Sequence, residues 1–282
     1  LGIEINTSLM TIALPDEKLN DLHVTLKKFT TRRRATRKQL QSLAGKLNWA
    51  CQVIKGGRIF LRRILDAMAH LKHATHKVLL NEDFQLDLQW WLQFLITFNG
   101  TMPIRNEKPI VDVEVDACNY AAGIFFRGDW QFSPFHIDYP NASSWHINYK
   151  ELLSVLLAAR RWGPLWANSR VVIHTDSMVA KAILNKGTTR NKAVMQVLRD
   201  LFWLAMKFNF DLTACHVPGK LNDRADAISR LKKPGQLTRL DSFFGYALSP
   251  WELCSHMSYM SFLMLSPQIH KWHNLKMSWT RK

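Results

Sequence analysis

The stretch Val111-Asp-Val-Glu-Val-Asp116 alternates apolar and acidic residues over six positions. This two-residue period is typical of a β-strand with one buried face, because successive side chains of a strand point to opposite sides. Asp112, Glu114 and Asp116 therefore share one face of the predicted strand. Asp116 is the residue at the strand end, just before the small-residue turn Ala117-Cys118-Asn119. We therefore choose Asp116 as the chemically important acid, although the pattern alone also admits Asp112 and Glu114.

The residues that follow this strand predict a sheet with helical crossovers. Three further strands and three helices precede a last strand and a short helix. The predicted strands are 111–116, 121–127, 131–136, 170–175 and 211–216, and the predicted helices are 148–162, 178–185, 192–208 and 222–230. Gly128-Asp129 predicts a tight hairpin turn between the second and third strands. Consecutive strands followed by two crossover units indicate an α/β fold, with a mixed five-stranded sheet and flanking helices, over residues 106–232.

Three more acids lie at the ends of predicted elements: Glu151 near the start of the 148–162 helix, Asp176 after the fourth strand, and Asp226 in the last short helix. Carboxylates gathered at one end of a sheet can hold hard divalent cations. Each acid also has an ordinary structural explanation. Asp176 could be a helix N-cap, Glu151 a first-turn acid favoured by the helix dipole, and Asp226 a partner of Arg224 or Arg230.

The first part of the chain has a different pattern. Residues 1–14 alternate around Asn6-Thr-Ser8, which predicts a hairpin, and helical periods follow over 16–29, 36–54, 58–70 and 82–98. The polar segment from Asn99 to Pro109 breaks the period. We therefore predict a small, mainly helical domain over residues 1–105, and a weakly ordered tail over residues 233–282.

Charge and composition narrow the class of protein. The 282 residues contain 38 Lys and Arg against 22 Asp and Glu, a net charge of +16, which favours a polyanionic partner. Four cysteines without metal-ligand spacing, no secretory signal and no long apolar stretch predict an intracellular protein that does not contact a membrane. The chain starts without Met, so we expect that the beginning of a larger protein is missing.

Four segments carry a resemblance to a known family. V-D-A-C-N at 115–119, N-Y-K-E-L-L at 148–153, H-T-D-S-M at 174–178 and H-V-P-G-K-L-N-D-R-A-D-A-I-S-R at 216–230 resemble ribonuclease H motifs, in the family's order. The last two resemble the version fused to reverse transcriptases of long-terminal-repeat and DIRS-like retrotransposons. The hairpin and helices of residues 1–105 look like the primer grip and the thumb or connection region of such a polymerase.

The resemblance implies hydrolysis of the RNA strand of RNA–DNA hybrids by two Mg²⁺ ions, with Mn²⁺ as an alternative. Asp116 would bridge both ions, Glu151 and Asp176 would bind one, and Asp226 the other. The polymerase family's Tyr-x-Asp-Asp turn is absent from the chain, so DNA synthesis by it alone is not expected. The missing polymerase portion is then a candidate partner.

The resemblance also suggests residues that contact substrate. His216 matches a histidine used for proton transfer or product release, or it simply ends an edge strand. Asn148 matches a position that reads the RNA 2′-hydroxyl, with Ser177 near it, or it is a helix cap. Because no basic protrusion separates the third and fourth motifs, we expect cations of the first domain, above all Arg32, Arg33 and Arg34, to hold the duplex.

Two other functions compete with this one. A retrotransposon relic could keep the fold and bind nucleic acid without catalysis. A nuclease of the same fold could instead cut DNA, in the manner of an integrase, although the context of His216 and Asp226 disfavours this.

Overall fold

The structure is a computed structural model that describes residues 2–97, 100–105 and 107–231. The predicted tail at 233–282 lies outside these residues. None of the described helices is both long and apolar enough to cross a lipid bilayer.

The N-terminal part is mainly helical, with short strands between the helices. Its elements are β1 Glu4–Asn6, β2 Thr11–Ala13, α1 Asp16–Thr30, β3 Arg34–Thr36, α2 Arg37–Ala50, a 3₁₀ turn Gly57–Leu61, α3 Arg62–Ala69, β4 Lys77–Leu79, α4 Glu82–Thr97 and β5 Thr101–Pro103. The predicted N-terminal hairpin is confirmed, since β1 and β2 pair antiparallel with Ile5 opposite Ile12.

Local sequence explains where α2 begins. The Thr36 hydroxyl accepts a hydrogen bond from the Gln39 backbone, and the Gln39 side chain accepts one from the Thr36 backbone, which completes a capping box. Leu40, Leu43 and Leu47 then repeat at helical spacing and are fully buried. The helix ends at Ala50, four residues before the predicted end.

Three short strands were not predicted. β3 and β4 pair with each other, and β5 pairs with β2 inside the segment expected to be an irregular linker. Each has only three residues, which is too short for a two-residue period to stand out from its surroundings. Their pairing depends on partners 41 to 92 positions away in the chain, as with Thr36 opposite Lys77 and Thr11 opposite Pro103.

The predicted five-stranded sheet with flanking helices is confirmed. Its elements are β6 Ile110–Ala117, β7 Ala121–Phe126, β8 Asp129–Pro134, α5 Phe135–Asp138, α6 Ile147–Trp162, β9 Arg170–Thr175, α7 Met178–Lys186, α8 Lys192–Phe208, β10 Asp211–His216 and α9 Asp223–Ser229. The strand order is β10-β9-β6-β7-β8, with β6, β7 and β8 antiparallel. β6 is therefore the central strand. Helices connect β8 to β9 and β9 to β10, which is typical of an α/β fold.

The turn between β7 and β8 differs by one residue from the prediction. Phe126 pairs with Asp129, so the two turn residues are Arg127 and Gly128 instead of Gly128 and Asp129. Both have positive φ angles, 49° and 85°, which is the type I′ conformation that matches the twist of the flanking strands.

The chain divides into two compact units. Among the described residues, one unit contains those up to Val111 together with Ala159–Val171 and Lys181–Ala214. The other contains Asp112–Ala158, Val172–Ala180 and the described residues from Cys215 on. These units are groupings of residues in space and do not follow chain order. The domain limits at 105 and 232 stay predictions of the sequence.

Candidate metal centre

The end of β6 positions the first acid of the site. Val111, Val113 and Val115 are buried on one face of this strand, as the alternating sequence predicted. Asp112, Glu114 and Asp116 occupy the opposite face, but the side chain of Asp116 is buried, with 2% exposure, whereas Asp112 is exposed. Three acids of one strand face therefore lie in different environments.

The three acids have different partners. Asp112 accepts from the ring of His174, with 2.8 Å between Nε2 and Oδ1. Glu114 is bound by the guanidinium of Arg224 through two hydrogen bonds, one of them 3.1 Å from Nε to Oε2. Asp116 instead meets other carboxylates. The strand pattern alone did not distinguish the three acids, whereas their partners in the structure differ.

Asp116, Glu151 and Asp176 come together in the structure. Each offers one carboxylate oxygen such that the three oxygens lie within 4.8 Å of one another. Asp116 and Glu151 are buried, and Asp176 is exposed. Two negative charges at such a distance repel by roughly 3–4 kcal/mol at an effective dielectric constant of about 20, so the cluster either holds a proton or binds a cation.

Glu151 is the acid least satisfied by the protein. It lies near the start of α6 with 5% exposure, and its Oε2 atom is buried without a hydrogen-bond partner among the described residues. Burial, followed by the charges of Asp116 and Asp176, raises the pKa of Glu151 to about 9, although the Ala117 backbone N–H donates a bond that acts in the opposite direction. An orphaned buried oxygen beside two carboxylates fits a metal ligand, because hard cations take oxygen ligands.

Asp116 is also perturbed. Burial raises the pKa of Asp116 to about 6, and the charges of Asp176 and Asp226 act in the same direction. A hydrogen bond from Ser229 acts in the opposite direction. Perturbed acids that perturb each other are typical of catalytic and metal sites.

Asp176 is not the N-cap of α7, the structural role that the sequence also allowed for it. Ser177 caps α7, because its Oγ accepts from the backbone N–H of Ala180 at 3.1 Å. The cap is thus the residue after Asp176. Ser177 itself, predicted to lie near the substrate, uses its hydroxyl oxygen in this cap.

Asp226 lies outside the group of three. Its Oδ1 accepts from Nε of Arg230 at 2.6 Å, which is one of the two ion pairs that the sequence suggested. Its charge is nevertheless close enough to raise the pKa of Asp116. The structure places Asp226 next to the cluster, and its role as a metal ligand stays a prediction.

His216 ends β10, as predicted. The next residue, Val217, donates its N–H to the carbonyl of Thr175 at 3.0 Å, directly before Asp176. A Cβ at Gly219 would lie 3.2 Å from Oδ2 of Asp176, so the loop after His216 passes close to this carboxylate. The loop therefore borders the cluster, and the proton-transfer role of His216 stays a prediction.

The remaining predicted residues lie on two surfaces. Asn148 is half-buried in the first turn of α6, and its backbone N–H donates to Nδ1 of His146 at 3.1 Å. Arg33 and Arg34 are exposed beside the strand pair of β3 and β4, and Arg32 lies with its guanidinium 5.1 Å from the ring centre of Phe29. We define the basic ribbon as the exposed cations of these two strands and their flanks: Arg33, Arg34, Lys38, Lys72 and Lys77.

Sequence reasoning missed residues that support the carboxylates. Ser229 is fully buried and bonded to Asp116, and Asn222, 1% exposed, donates from Nδ2 to the Val115 carbonyl at 2.9 Å. Lys150 is also buried, and its Nζ donates to the Asn119 carbonyl in the turn after Asp116 at 2.7 Å. All three belong to the quoted motifs, but their partners lie 31 to 113 positions away, so no local pattern indicated these hydrogen bonds.

Comparison with known proteins gives structural similarity only. No protein-family model and no curated protein sequence matches the chain. Among solved structures it is similar to ribonuclease H1 from the halophilic archaeon Halobacterium salinarum NRC-1, with 17% identity over 42% of this chain and 93% of that chain and a TM-score of 0.35.

It is also similar to the foamy viral protease-reverse transcriptase. The structure in complex with RNA/DNA hybrid matches at 16% identity over 76% of this chain and 28% of that chain, with a TM-score of 0.33. The structure in complex with dsDNA matches at 16% identity over 78% of this chain and 44% of that chain, with a TM-score of 0.32. The chain thus covers less than half the length of these two viral chains. Because the TM-scores are low, we base the assignment of a ribonuclease H-like fold on the strand order and its flanking helices.

Proposed function

We propose that this chain is a metal-dependent ribonuclease that hydrolyses the RNA strand of RNA–DNA hybrids. The main support is the convergence of Asp116, Glu151 and Asp176 at one end of the central strands, with three carboxylate oxygens within 4.8 Å. Two of these acids are buried, and one buried oxygen has no partner among the described residues. A protein gains no stability from such an arrangement by itself, because burying unpaired carboxylates is costly.

The three acids would hold Mg²⁺ or Mn²⁺, with Asp226 next to them as a further ligand. Bound divalent ions lower the pKa of water and stabilise the charge on a leaving oxygen, which is the chemistry that phosphodiester hydrolysis requires. Asp116, near the end of the central strand, would be one of the ligands of these ions. His216, in the strand end that leads into the loop beside Asp176, would transfer a proton or assist product release.

The substrate preference would come from α6 and from the cap of α7. Asn148, one turn before Glu151, would contact the 2′-hydroxyl of the RNA strand, and Ser177 would lie nearby. Contacts to this hydroxyl distinguish RNA from DNA. Replacing Asn148 with Ala should therefore reduce the cleavage of hybrid without changing metal binding.

The basic ribbon would hold the phosphate backbone of the duplex. The sequence contains no Asp or Glu between Asp21 and Asp66 or between Asp66 and Glu82, the regions that form the ribbon. In the described part of the chain, none of its five side chains forms an ion pair with a carboxylate. Unpaired exposed cations on a short strand pair are suited to phosphate contacts.

Strand β6 contains both the residue whose substitution tests the proposal and the residues for the control variants. The 282-residue protein is incubated with Mg²⁺ and labelled RNA–DNA hybrid, DNA duplex or RNA duplex, and the cut strands are resolved on a gel. Asp116→Asn should abolish hybrid cleavage. Asp112→Asn and Glu114→Gln, which neutralise acids of the same strand face that bind His174 and Arg224, should leave it within a few-fold of wild type.

The outcomes distinguish the competing functions. Cleavage of hybrid only, lost with Asp116→Asn, supports the proposal. Binding of hybrid without cleavage by the wild-type protein supports a catalytically silent relic, and cleavage of DNA duplex supports an integrase-like nuclease. Equal loss of cleavage in all three variants would show that cleavage depends on the intact strand β6 and not on the carboxylate cluster.

We further propose, from the motif resemblance, an origin in a reverse transcriptase of an LTR-type or DIRS-like retrotransposon. The polymerase portion that bears the catalytic aspartates would then be the partner of this chain. An intracellular location is part of the same proposal.

A further inference from the structure

Ser229, the last residue of α9, touches the central acid of the cluster. It is fully buried, and its Oγ donates to Oδ2 of Asp116 at 2.5 Å. The same Oγ lies 3.0 Å from the carbonyl of Asp226, within its own helix. Because a hydroxyl has one proton, the shorter hydrogen bond, to the carboxylate, takes it.

A glycine makes this approach possible. Gly123 of β7 is the register partner of Asp116. A Cβ at position 123 would lie 2.2 Å from both the Ala225 carbonyl oxygen and the Ser229 backbone nitrogen. Every other residue type would therefore push α9 away from the sheet, and Ser229 away from Asp116.

Two more hydrogen bonds fix α9 on either side of Asp116. Asn222 at the start of the helix donates to the Val115 carbonyl at 2.9 Å, and the Cys118 thiol donates to the Ser229 carbonyl at 3.0 Å. The helix is thus bonded to the residue before Asp116, to Asp116 itself, and to a residue of the turn that follows. Three bonds over four positions hold the helix in one place.

We propose that Ser229 is a positioning residue that holds the carboxylate of Asp116 in the orientation that binds the metal ions. This inference rests on the proposed function. The hydroxyl fixes one oxygen of Asp116 against repulsion from Glu151 and Asp176, and it leaves the other oxygen for a cation. Gly123 acts through Ser229, because it permits the approach of α9.

The prediction concerns metal affinity more than rate. Loss of a residue that orients a metal ligand typically lowers metal affinity or activity about 10- to 100-fold. Ser229→Ala should therefore raise the concentration of Mn²⁺ or Mg²⁺ needed for half-saturation by about 10- to 100-fold. The rate at saturating metal should stay within a few-fold of wild type.

Direct binding of Mn²⁺ to the full chain, followed by electron paramagnetic resonance, provides a measurement that does not depend on cleavage. Ser133→Ala is the matched control, because Ser133 is equally buried in the sheet but its Oγ accepts from Gln131 at 2.6 Å and does not bind a metal-site acid. A merely structural role would make the two variants lose similar thermal stability and bind Mn²⁺ alike. Gly123→Ala tests the same hydrogen bond from the sheet side and should weaken Mn²⁺ binding as well.

Two results would overturn the inference. In the first, Ser229→Ala binds Mn²⁺ as tightly as the wild type and Ser133→Ala do. In the second, Asp116→Asn binds Mn²⁺ as the wild-type chain does, so that no binding depends on the cluster. Failure of the proposed function has a different signature. The wild-type protein would then bind Mn²⁺ at the cluster but leave the hybrid intact, and the Ser229→Ala measurement would still decide the positioning role.

Discussion

Asp87 and Asp116 are two buried aspartates in opposite surroundings. Their exposures are 1% and 2%, and burial, as the largest cause, raises the pKa of each to about 6. Asp87 of α4 accepts from Arg63 at 2.9 Å and from Arg199 at 3.4 Å. Asp116 has the carboxylates of Glu151 and Asp176 in its cluster and accepts a hydrogen bond from the neutral hydroxyl of Ser229.

The difference separates an acid that is paired with cations from one that is grouped with other acids, which we propose as a metal ligand. The charge of Asp87 is compensated by the protein's own cations, so it can stabilise the fold as it stands. Asp116 instead has carboxylate neighbours, which the charge of Arg230 offsets only in part. Burial and a shifted pKa are thus common to both, and the sign of the neighbouring charges distinguishes them.

The largest expected effect is on stability. Asp87→Asn should lower the free energy of unfolding by about 3–5 kcal/mol, because it removes the buried counter-charge of Arg199 and leaves Arg63 paired with Asp83 alone. Asp116→Asn should leave this free energy unchanged or raise it in EDTA, because it removes like-charge repulsion. Urea denaturation at pH ~7.5 compares the two variants. Equal destabilisation would mean that the two acids do not differ as described.

Stability should also depend on pH through Glu151. Its pKa is about 9 in the folded chain against an ordinary value of 4.5, so the folded state holds a proton that the unfolded state has lost. The free energy of unfolding in EDTA should therefore fall as the pH rises from about 5 to 8, by up to about 1.4 kcal/mol per pH unit.

Glu151→Gln should flatten this fall, since glutamine is neutral throughout, while the control Glu114→Gln should retain it. Urea denaturation at several pH values measures the slope. A Glu151→Gln variant with the slope of wild type would show that the buried glutamate does not retain its proton.

Divalent ions should stabilise the chain through the same cluster. Mg²⁺ at about 10 to 100 times its dissociation constant should add about 1.4 to 2.7 kcal/mol to the free energy of unfolding, since it binds the folded state. The gain, measured as a rise in melting temperature over EDTA, should be lost with Asp116→Asn and kept with Asp112→Asn. The same rise in both variants would place the binding of Mg²⁺ elsewhere.

The smallest effect is expected at the basic ribbon. Arg33→Ala combined with Arg34→Ala should reduce the slope of log affinity for hybrid against log salt by about 0.9 for each phosphate that these arginines neutralise. Fluorescence anisotropy in the Asp116→Asn background measures binding without cleavage. Lys46→Ala is the control, because this lysine of α2 is already paired with Asp21 at 2.7 Å, and its removal should leave the slope unchanged.

Much of the sheet was predictable because its strands carry strong local patterns. The alternating valines of β6 and the apolar run of β9 indicated strands with nearly the observed bounds. β3, β4 and β5 were missed, and the turn at Arg127-Gly128 was predicted one residue late. A three-residue strand has almost no period, and a turn's exact register depends on which residues pair across it.

The candidate site, like the sheet, was predictable from the sequence only in part. Glu151 and Asp176 were identified from motif and from their positions at element ends, and the structure brings both to Asp116. Ser229 lies in one of the quoted motifs and Gly123 in a predicted strand, yet nothing local marked either residue. Their importance lies in the packing of α9 against β7, which depends on residues far apart in the chain.

The amino-acid sequence determined the elements of this protein and the types of chemical group at their ends, because both follow from periodicity and residue chemistry within a short window. Tertiary structure decided which of three equivalent acids on β6 became buried among carboxylates and which were paired with His174 and Arg224. The position of α9, which the missing side chain of Gly123 allows, brings Ser229 to Asp116 and Arg224 to Glu114 two residues earlier. Distances between groups far apart in the chain are fixed by packing, and no local pattern contains them.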